Sequence, residues 1–249
     1  MRETLYGRQA VRESLRAGRR TPYRLVLMDG VFSTPIIEEI EEFARAQNIP
    51  VARVSHHEMN SLVGDENHQG VALEVSGYPY VDVYDILDAA EERGDVPLFL
   101  LLDLVQDVRN LGALLRTAEA VGVHGVIIQG RRAAGVTPTA VNASSGASEH
   151  LLVAQVTNLS RAIEKLKAAE VWVAGLEHVY GAKLYTEVDL TVPLALVLGS
   201  EGEGLRRLVR ERCDWLMYLP MRGEISSLNV TVAGSIVLYE ALRQRGWGA

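Results

Sequence analysis

With 249 residues, 48% of them hydrophobic, the chain is long enough to bury one large core or two modest ones. Its net charge of -7 argues against polyanion binding through bulk charge. A single cysteine, Cys213, rules out an internal disulfide or a cysteine-type zinc site, and the six histidines show no HExxH-like spacing, so no metal is expected. No apolar run approaches the roughly 18 residues of a membrane span, and "MRETLYGRQAVRESLRAG" lacks the apolar centre of a signal peptide, so a soluble cytoplasmic protein is expected.

In chain order, the first elements form a small α/β module over residues 1–77. Its opening stretch is predicted helical, with Arg8, Arg12 and Arg16 at i, i+4 and i+8 opposite Leu5, Val11 and Leu15. Residues 1–24 hold seven arginines and two glutamates, an excess that could face a phosphate backbone or simply water. A "YRLVLM" strand, an acidic helix around "PIIEEIEEFARAQN", a "PVARVS" strand, a short helical piece and a "GVALEVS" strand follow. Residues 78–95 break the strand pattern and read as a linker with one helix around 84–93. From 96 to 249, "LFLLLD", "GVIIQG", "LLVAQV", "VWVAGLE", "LALVLGS" and "WLMYLP" alternate with helical stretches, the pattern of a parallel sheet buried on both faces.

Ligands of such sheets bind beyond the carboxyl ends of the strands, and three ends stand out. After "LFLLLD" comes "LVQDVRNLGALLRTAEAVGV", where Asn110 sits near a helix start and Arg116 among leucines. Asn110 could be a helix cap and Arg116 could pair with Glu119, or both could serve a site. After "LALVLGS", the glycines Gly199, Gly202 and Gly204 flank Glu201 and Glu203. That turn has neither the spacing nor the lysine of a phosphate loop, and its carboxylates suit a neutral or cationic ligand held by backbone groups, unless it is only a tight turn. After "WLMYLP", the stretch "MRGEISSLNV" places Ser226, Ser227 and Asn229 at the mouth of the last helix, as caps or as site residues.

Taken together, "NLGALLRTAEAVGV", "LVLGSEGEGL" and "LPMRGEISSLNVTVA", in this order, closely resemble the three motifs of the SpoU/TrmH family of RNA ribose 2'-O-methyltransferases of the SPOUT superfamily. "LYGRQAV" and "HQGVALEV" resemble the small ribosomal-protein-like RNA-binding domain that precedes the catalytic domain in rRNA-modifying members. The resemblance implies a SPOUT parallel-sheet domain with a C-terminal trefoil knot, acting as a homodimer with its cofactor sites beside the interface. It implies S-adenosylmethionine as cofactor, surrounded by Leu198, Gly199, Gly202, Leu219, Met221, Ser227 and Leu228. Asn110, Arg116, Glu201, Ser227 and Asn229 would form the reaction centre. Arg116 is expected to hold an RNA phosphate and the reacting oxygen, because a guanidinium with a pKa above about 12 is a poor base. Glu201 is expected to orient it, and Arg8, Arg12, Arg16 and Arg116 to contact RNA. The implied substrate is a guanosine of 23S rRNA. The same reaction on tRNA or another rRNA nucleotide, and a catalytically silent ribosome-assembly factor, are the alternatives. One departure is Asn142, in "TAVNASSGASEH", where many relatives carry a lysine.

Overall fold

A computed structural model describes residues 2–64 and 66–246. In chain order its first elements are β1 Arg2–Tyr6, α1 Arg8–Ala17, β2 Pro22–Met28, α2 Pro35–Ala46, β3 Val51–Val54, α3 His56–Val63 and β4 Val71–Ser76. Then come α4 Val83–Arg93, β5 Leu98–Leu102, α5 Val108–Ala120, β6 Gly125–Gln129, α6 Pro138–Ala143, β7 Val153–Val156, α7 Leu159–Ala168 and β8 Trp172–Leu176. The last are β9 Lys183–Leu184, β10 Leu194–Leu198, α8 Arg207–Arg210, β11 Trp215–Tyr218 and α9 Val230–Gln244. Two compact units emerge, residues 1–79 with 136–150, and residues 80–135 with 151–249.

The first unit is a four-stranded sheet in the order β1-β4-β2-β3, antiparallel except for the β2-β3 pair. The predicted opening helix begins later than expected. Residues 2–6 pair with β4, placing Leu5 opposite Leu73 in the sheet rather than on the apolar side of α1. Gly7, at φ 87°, makes the break between strand and helix. Ser55 and Glu58 close a capping box at the start of α3, whose Met59 packs on Val26 and Ala72.

The segment 136–150, which the sequence division placed in the catalytic domain, belongs to this first unit. Its Glu149, 1% exposed, accepts a forked hydrogen bond from Arg20 Nε, another from Arg20 Nη2 at 3.0 Å and one from Ser14 Oγ at 3.0 Å. Arg20 also reaches Glu3 at 2.5 Å and the Ser76 carbonyl. Gly146 lies so close to Glu13 that a Cβ there would meet it at 2.6 Å. Asn142 donates through Nδ2 to the Tyr6 carbonyl at 3.0 Å. Asn142 therefore ties α6 to the end of β1.

The second unit is built on a parallel sheet in the order β7-β6-β5-β10-β8-β11-β9. Strands β5, β6 and β10 are buried at every position, as expected of a sheet covered on both faces. The two-residue β9 at the edge is too short to leave an alternating pattern in the sequence. Phe99, Leu101, Ala195 and Val197 pack with residues of α4, α7 and α8. Helices α5 and α9 pack against each other, and a Cβ at Gly234 would meet Leu198 at 2.5 Å and Leu114 at 2.8 Å. That glycine lets the last helix lie directly on β10 and α5.

The stretch read as a linker is more than a connector. Asp82 and Asp85 form a capping box that starts α4, and Val83, Ile86 and Ala90 enter the core of the second unit. Burial pushes the Cys213 thiol up to about 12. No helix among the described residues is long and apolar enough to cross a membrane.

Candidate active site

The carboxyl ends of β8, β10 and β11 open onto one cavity of about 670 Å³. Strand β10 ends at Leu198, and the chain turns back on itself at once. Ser200 N donates to the Gly204 carbonyl at 3.2 Å, and Gly204 N to the Ser200 carbonyl at 3.1 Å. A Cβ on Gly199 would meet the Gly204 carbonyl carbon at 2.2 Å, so only glycine permits this closure. Gly202 and Gly204 adopt φ 90° and 67°.

Two carboxylates that the sequence reading passed over clamp the turn from outside. Asp103, fully buried at the end of β5, accepts from Arg206 N at 2.9 Å and from its guanidinium at 2.8 and 2.6 Å. Glu177, at the end of β8, accepts from Leu205 N at 3.3 Å and pairs with Arg210 through both Nε and a terminal nitrogen. Hydrogen bonding to Glu177 raises the Arg210 pKa. Both acids close apolar runs, "LFLLLD" and "VWVAGLE", and the strand-end rule that picked out the other site residues could have found them.

Three of the five predicted polar residues, Asn110, Glu201 and Asn229, meet, with Asn110 between the other two. Asn110 Nδ2 donates to Glu201 Oε1, while its Oδ1 accepts from Asn229 Nδ2 at 3.2 Å and from Thr231 Oγ1 at 3.1 Å. Asn110 is not the cap of α5. Asp107 is, accepting from the amides of Arg109 and Asn110 at 2.7 and 2.9 Å. Asn229 does cap α9, accepting from Thr231 N at 2.9 Å while its amide nitrogen turns to Asn110. Capping and site-building are thus two uses of one side chain. Glu201 is thereby held by Asn110.

All seven residues expected around the cofactor, Leu198, Gly199, Gly202, Leu219, Met221, Ser227 and Leu228, line the cavity, as do Glu201 and Asn229. Ser227 is exposed at its mouth. His178, stacked on Tyr218 with ring centroids 4.8 Å apart, lines it as well. Arg116 stands apart. It is exposed on α5, six residues beyond Asn110, and at 100° per residue points about 120° away from it. The cavity walls bear Glu177, Glu201 and Glu203 and no lysine or arginine. Among the described residues no cluster of three His, Cys, Asp or Glu side chains could hold a metal ion.

The basic face of α1 is largely engaged within its own unit. Arg12 binds Glu13 at 2.5 Å and approaches Glu39 at 3.6 Å, and Arg16 lies 3.9 Å from Glu13. Arg8 donates through its amide and Nε to Gln69. Burial raises the Glu13 pKa, but hydrogen bonds from His150 and Arg12 outweigh it and hold the carboxyl below its usual range.

Comparison with known proteins decides the lineage. Residues 97–239 match the SpoU rRNA Methylase family and residues 4–81 match the family described as RNA 2'-O ribose methyltransferase substrate binding. The chain belongs to the SpoU rRNA methylase family. As a member it is an RNA methyltransferase. It is 41% identical over 239 residues to YacO of Bacillus subtilis, named as a TrmH family tRNA/rRNA methyltransferase, covering 96% of this chain and 94% of that one. An AdoMet-bound rRNA methyltransferase from Sinorhizobium meliloti superposes with a TM-score of 0.81 at 26% identity, over 97% of this chain and 87% of that one. The SpoU methyltransferase AviRb from Streptomyces viridochromogenes gives 0.82 at 25% identity, over 98% and 90%. The SpoU fold thus spans both units.

Proposed function

We propose that the chain transfers a methyl group from S-adenosylmethionine to a ribose 2'-hydroxyl of RNA, with a guanosine of 23S rRNA as the substrate nucleotide. The observation that carries this reading is the convergence of three separate strand ends on one cavity, two of whose polar residues, Glu201 and Asn229, are joined through Asn110. The chemistry of the walls fits the cofactor. Its sulfonium is a cation, and the cavity offers carboxylates and glycine backbone where a phosphate ligand would need basic groups. The volume lies within the usual range for small-molecule sites, about 300–1,000 Å³.

Bound there, the cofactor supplies an electrophilic methyl. The chain's part is to position and to manage charge. Leu198, Leu219, Met221 and Leu228 offer apolar walls, and the clamped turn Gly199–Gly204 offers backbone groups that need no rearrangement. Asn110 fixes the Glu201 carboxylate, and Ser227 at the mouth has a hydroxyl to offer an incoming ribose. Arg116, held off this cavity, is assigned to the RNA phosphate and the reacting oxygen through a homodimer. Helix α9 supports that reading, with Val232, Ile236 and Tyr239 exposed along one side of the helix that packs on α5. A second copy seated on that stripe would bring Arg116 toward the other copy's cavity. The knotted passage of the segment leading into α9 belongs to the same reading.

The test incubates the purified protein with methyl-labelled S-adenosylmethionine and, separately, ribosomal RNA and tRNA from a strain lacking the gene. Label retained in an alkali-resistant dinucleotide from 23S rRNA is the expected result. Label on a base overturns the ribose assignment, and label on tRNA alone overturns the rRNA target. No transfer to either, with RNA binding intact, leaves the assembly-factor role.

A further inference from the structure

The first unit contains a second cavity, of about 510 Å³, formed where the loop between β2 and α2 meets the loop before β4. Phe32 stands on its rim with 83% of its surface exposed. An apolar ring of that size left in water forgoes about 2 kcal/mol of burial, which a ligand seated in the cavity against it would recover. Nor is the ring on a slack loop. Val31 packs against Gly70, where a Cβ would meet it at 2.9 Å, and Val31 N donates back to the Met28 carbonyl at 3.1 Å.

The rest of the cavity is polar, and its groups are held in place. His68, 8% exposed, accepts at Nδ1 from Gly70 N at 2.9 Å and donates from Nε2 to Asn60 Oδ1 at 3.0 Å. Burial lowers its pKa, consistent with a neutral ring that orients the Asn60 amide. Gln69, in the left-handed region at φ 54°, receives the amide of Arg8 on its side-chain oxygen and the Arg8 Nε on its carbonyl. Asn67 is exposed beside them. Among the described lining residues Arg8 and Glu66 offset each other, so neither a bare phosphate nor a cation finds a net opposite charge. An aromatic face beside several amides, without net charge, matches a flat, neutral, hydrogen-bonding ligand.

We propose that this cavity takes an unstacked nucleobase of the RNA substrate, with Phe32 as the stacking surface and the amides of Asn67 and Gln69 facing the base edge. The inference rests on the RNA-methylation reading above and names the part of the RNA that the first unit holds. The full-length protein, without cofactor, is titrated with a fluorescein-labelled single-stranded RNA of about 12 nucleotides of mixed sequence, and with the same sequence as a duplex. Base stacking on an aromatic ring is worth about 1–3 kcal/mol, so Phe32→Ala is expected to weaken single-strand binding by about 5- to 150-fold. Phe32→Tyr should retain it within about threefold, because the stacking face remains. Asn67→Ala should lie between the two, and S-adenosylmethionine affinity should be the same in all variants. Equal affinity of wild type and Phe32→Ala, a preference for the duplex, or no RNA binding by the wild type overturns the proposal. Phe32-dependent binding without methyl transfer would fail the methyltransferase reading and leave the base pocket standing. Methyl transfer with no effect of Phe32→Ala would do the reverse.

Discussion

The two units treat their charged groups in opposite ways. In the first, Arg20 and Glu149 are withdrawn from solvent altogether, and Glu13 collects Arg12, Arg16 and His150. In the second, Glu201 and Asn229 line an open cavity and each bonds to Asn110 behind them. A buried pair holds its own unit together, whereas a polar cluster at strand ends is organised for something that arrives from outside. Stability and activity should therefore separate cleanly when each is broken.

The largest effect is expected at Glu149→Ala. It leaves Arg20, whose side chain is fully buried, with Glu3 and the Ser76 carbonyl but without its buried carboxylate, and breaking a buried pair from one side costs about 3–5 kcal/mol. Urea unfolding should show that loss. A loss under about 1 kcal/mol would mean that water or rearrangement rescues the arginine and that the first unit is not held by this pair.

Asn110→Ala should give the mirror image. Unfolding should stay within about 0.5 kcal/mol of the wild type, as for most substitutions outside a core. Single-turnover methyl transfer should fall on the order of 10², the usual cost of a group acting in the transition state. Unfolding of this variant, or a near-normal rate, would erase the contrast between the units.

The clamped turn lies between these extremes. Gly199→Ala forces a Cβ against the Gly204 backbone, an overpacking expected to cost about 1–3 kcal/mol. Calorimetry should find that loss in S-adenosylmethionine affinity, since the turn can relieve the clash only by opening. Wild-type affinity would remove the turn from the cofactor site.

Much of this is legible in the sequence, and the reason is local. Apolar runs mark the buried strands, and the glycines and polar residues just after them mark part of the cavity wall, because strand ends of a parallel sheet are forced to one edge. Leu198, Leu219, Met221 and Leu228 are pointed to only by the resemblance to the SpoU/TrmH motifs. What escaped notice depended on distant partners. Asp103 and Glu177 look like ordinary strand-terminal acids until Arg206 and Arg210 are brought to them. Residues 2–6 became a strand because β4, some 70 positions later, was available to pair with them. The segment 136–150 joined the first unit through Glu149 and Gly146, which no periodicity advertises. On α1, the spacing of the arginines was correct, but the acid that absorbs two of them lies on the same helix.

Acid should expose that network. Because Glu13 is held below its usual value of 4.5, its contribution is present above that pH and is lost as pH falls through the lowered value. Between about pH 5 and 3 the wild type should lose stability faster than Glu13→Gln, by less than about 1 kcal/mol. Parallel curves would mean that Glu13 is equally well solvated in the unfolded chain.

The smallest effect concerns which arginine of α1 meets RNA. Arg16 keeps 64% of its side chain exposed, against 26% for Arg12, which Glu13 holds at 2.5 Å. Each phosphate contact releases a condensed counterion, so losing one lowers the slope of log affinity against log salt by about 0.7 on single-stranded RNA. Arg16→Gln should show that decrement, with a modest loss of affinity at low salt. Arg12→Gln should leave the slope unchanged, since a guanidinium already bonded to a carboxylate displaces no counterion from RNA. Equal slopes for wild type and both variants would show that this helix does not touch the phosphate backbone. RNA binding by the first unit would then depend on Arg8 and the cavity beside Phe32. A decrement in Arg12→Gln instead would mean that RNA pulls this arginine from Glu13, and that the helix rearranges on binding.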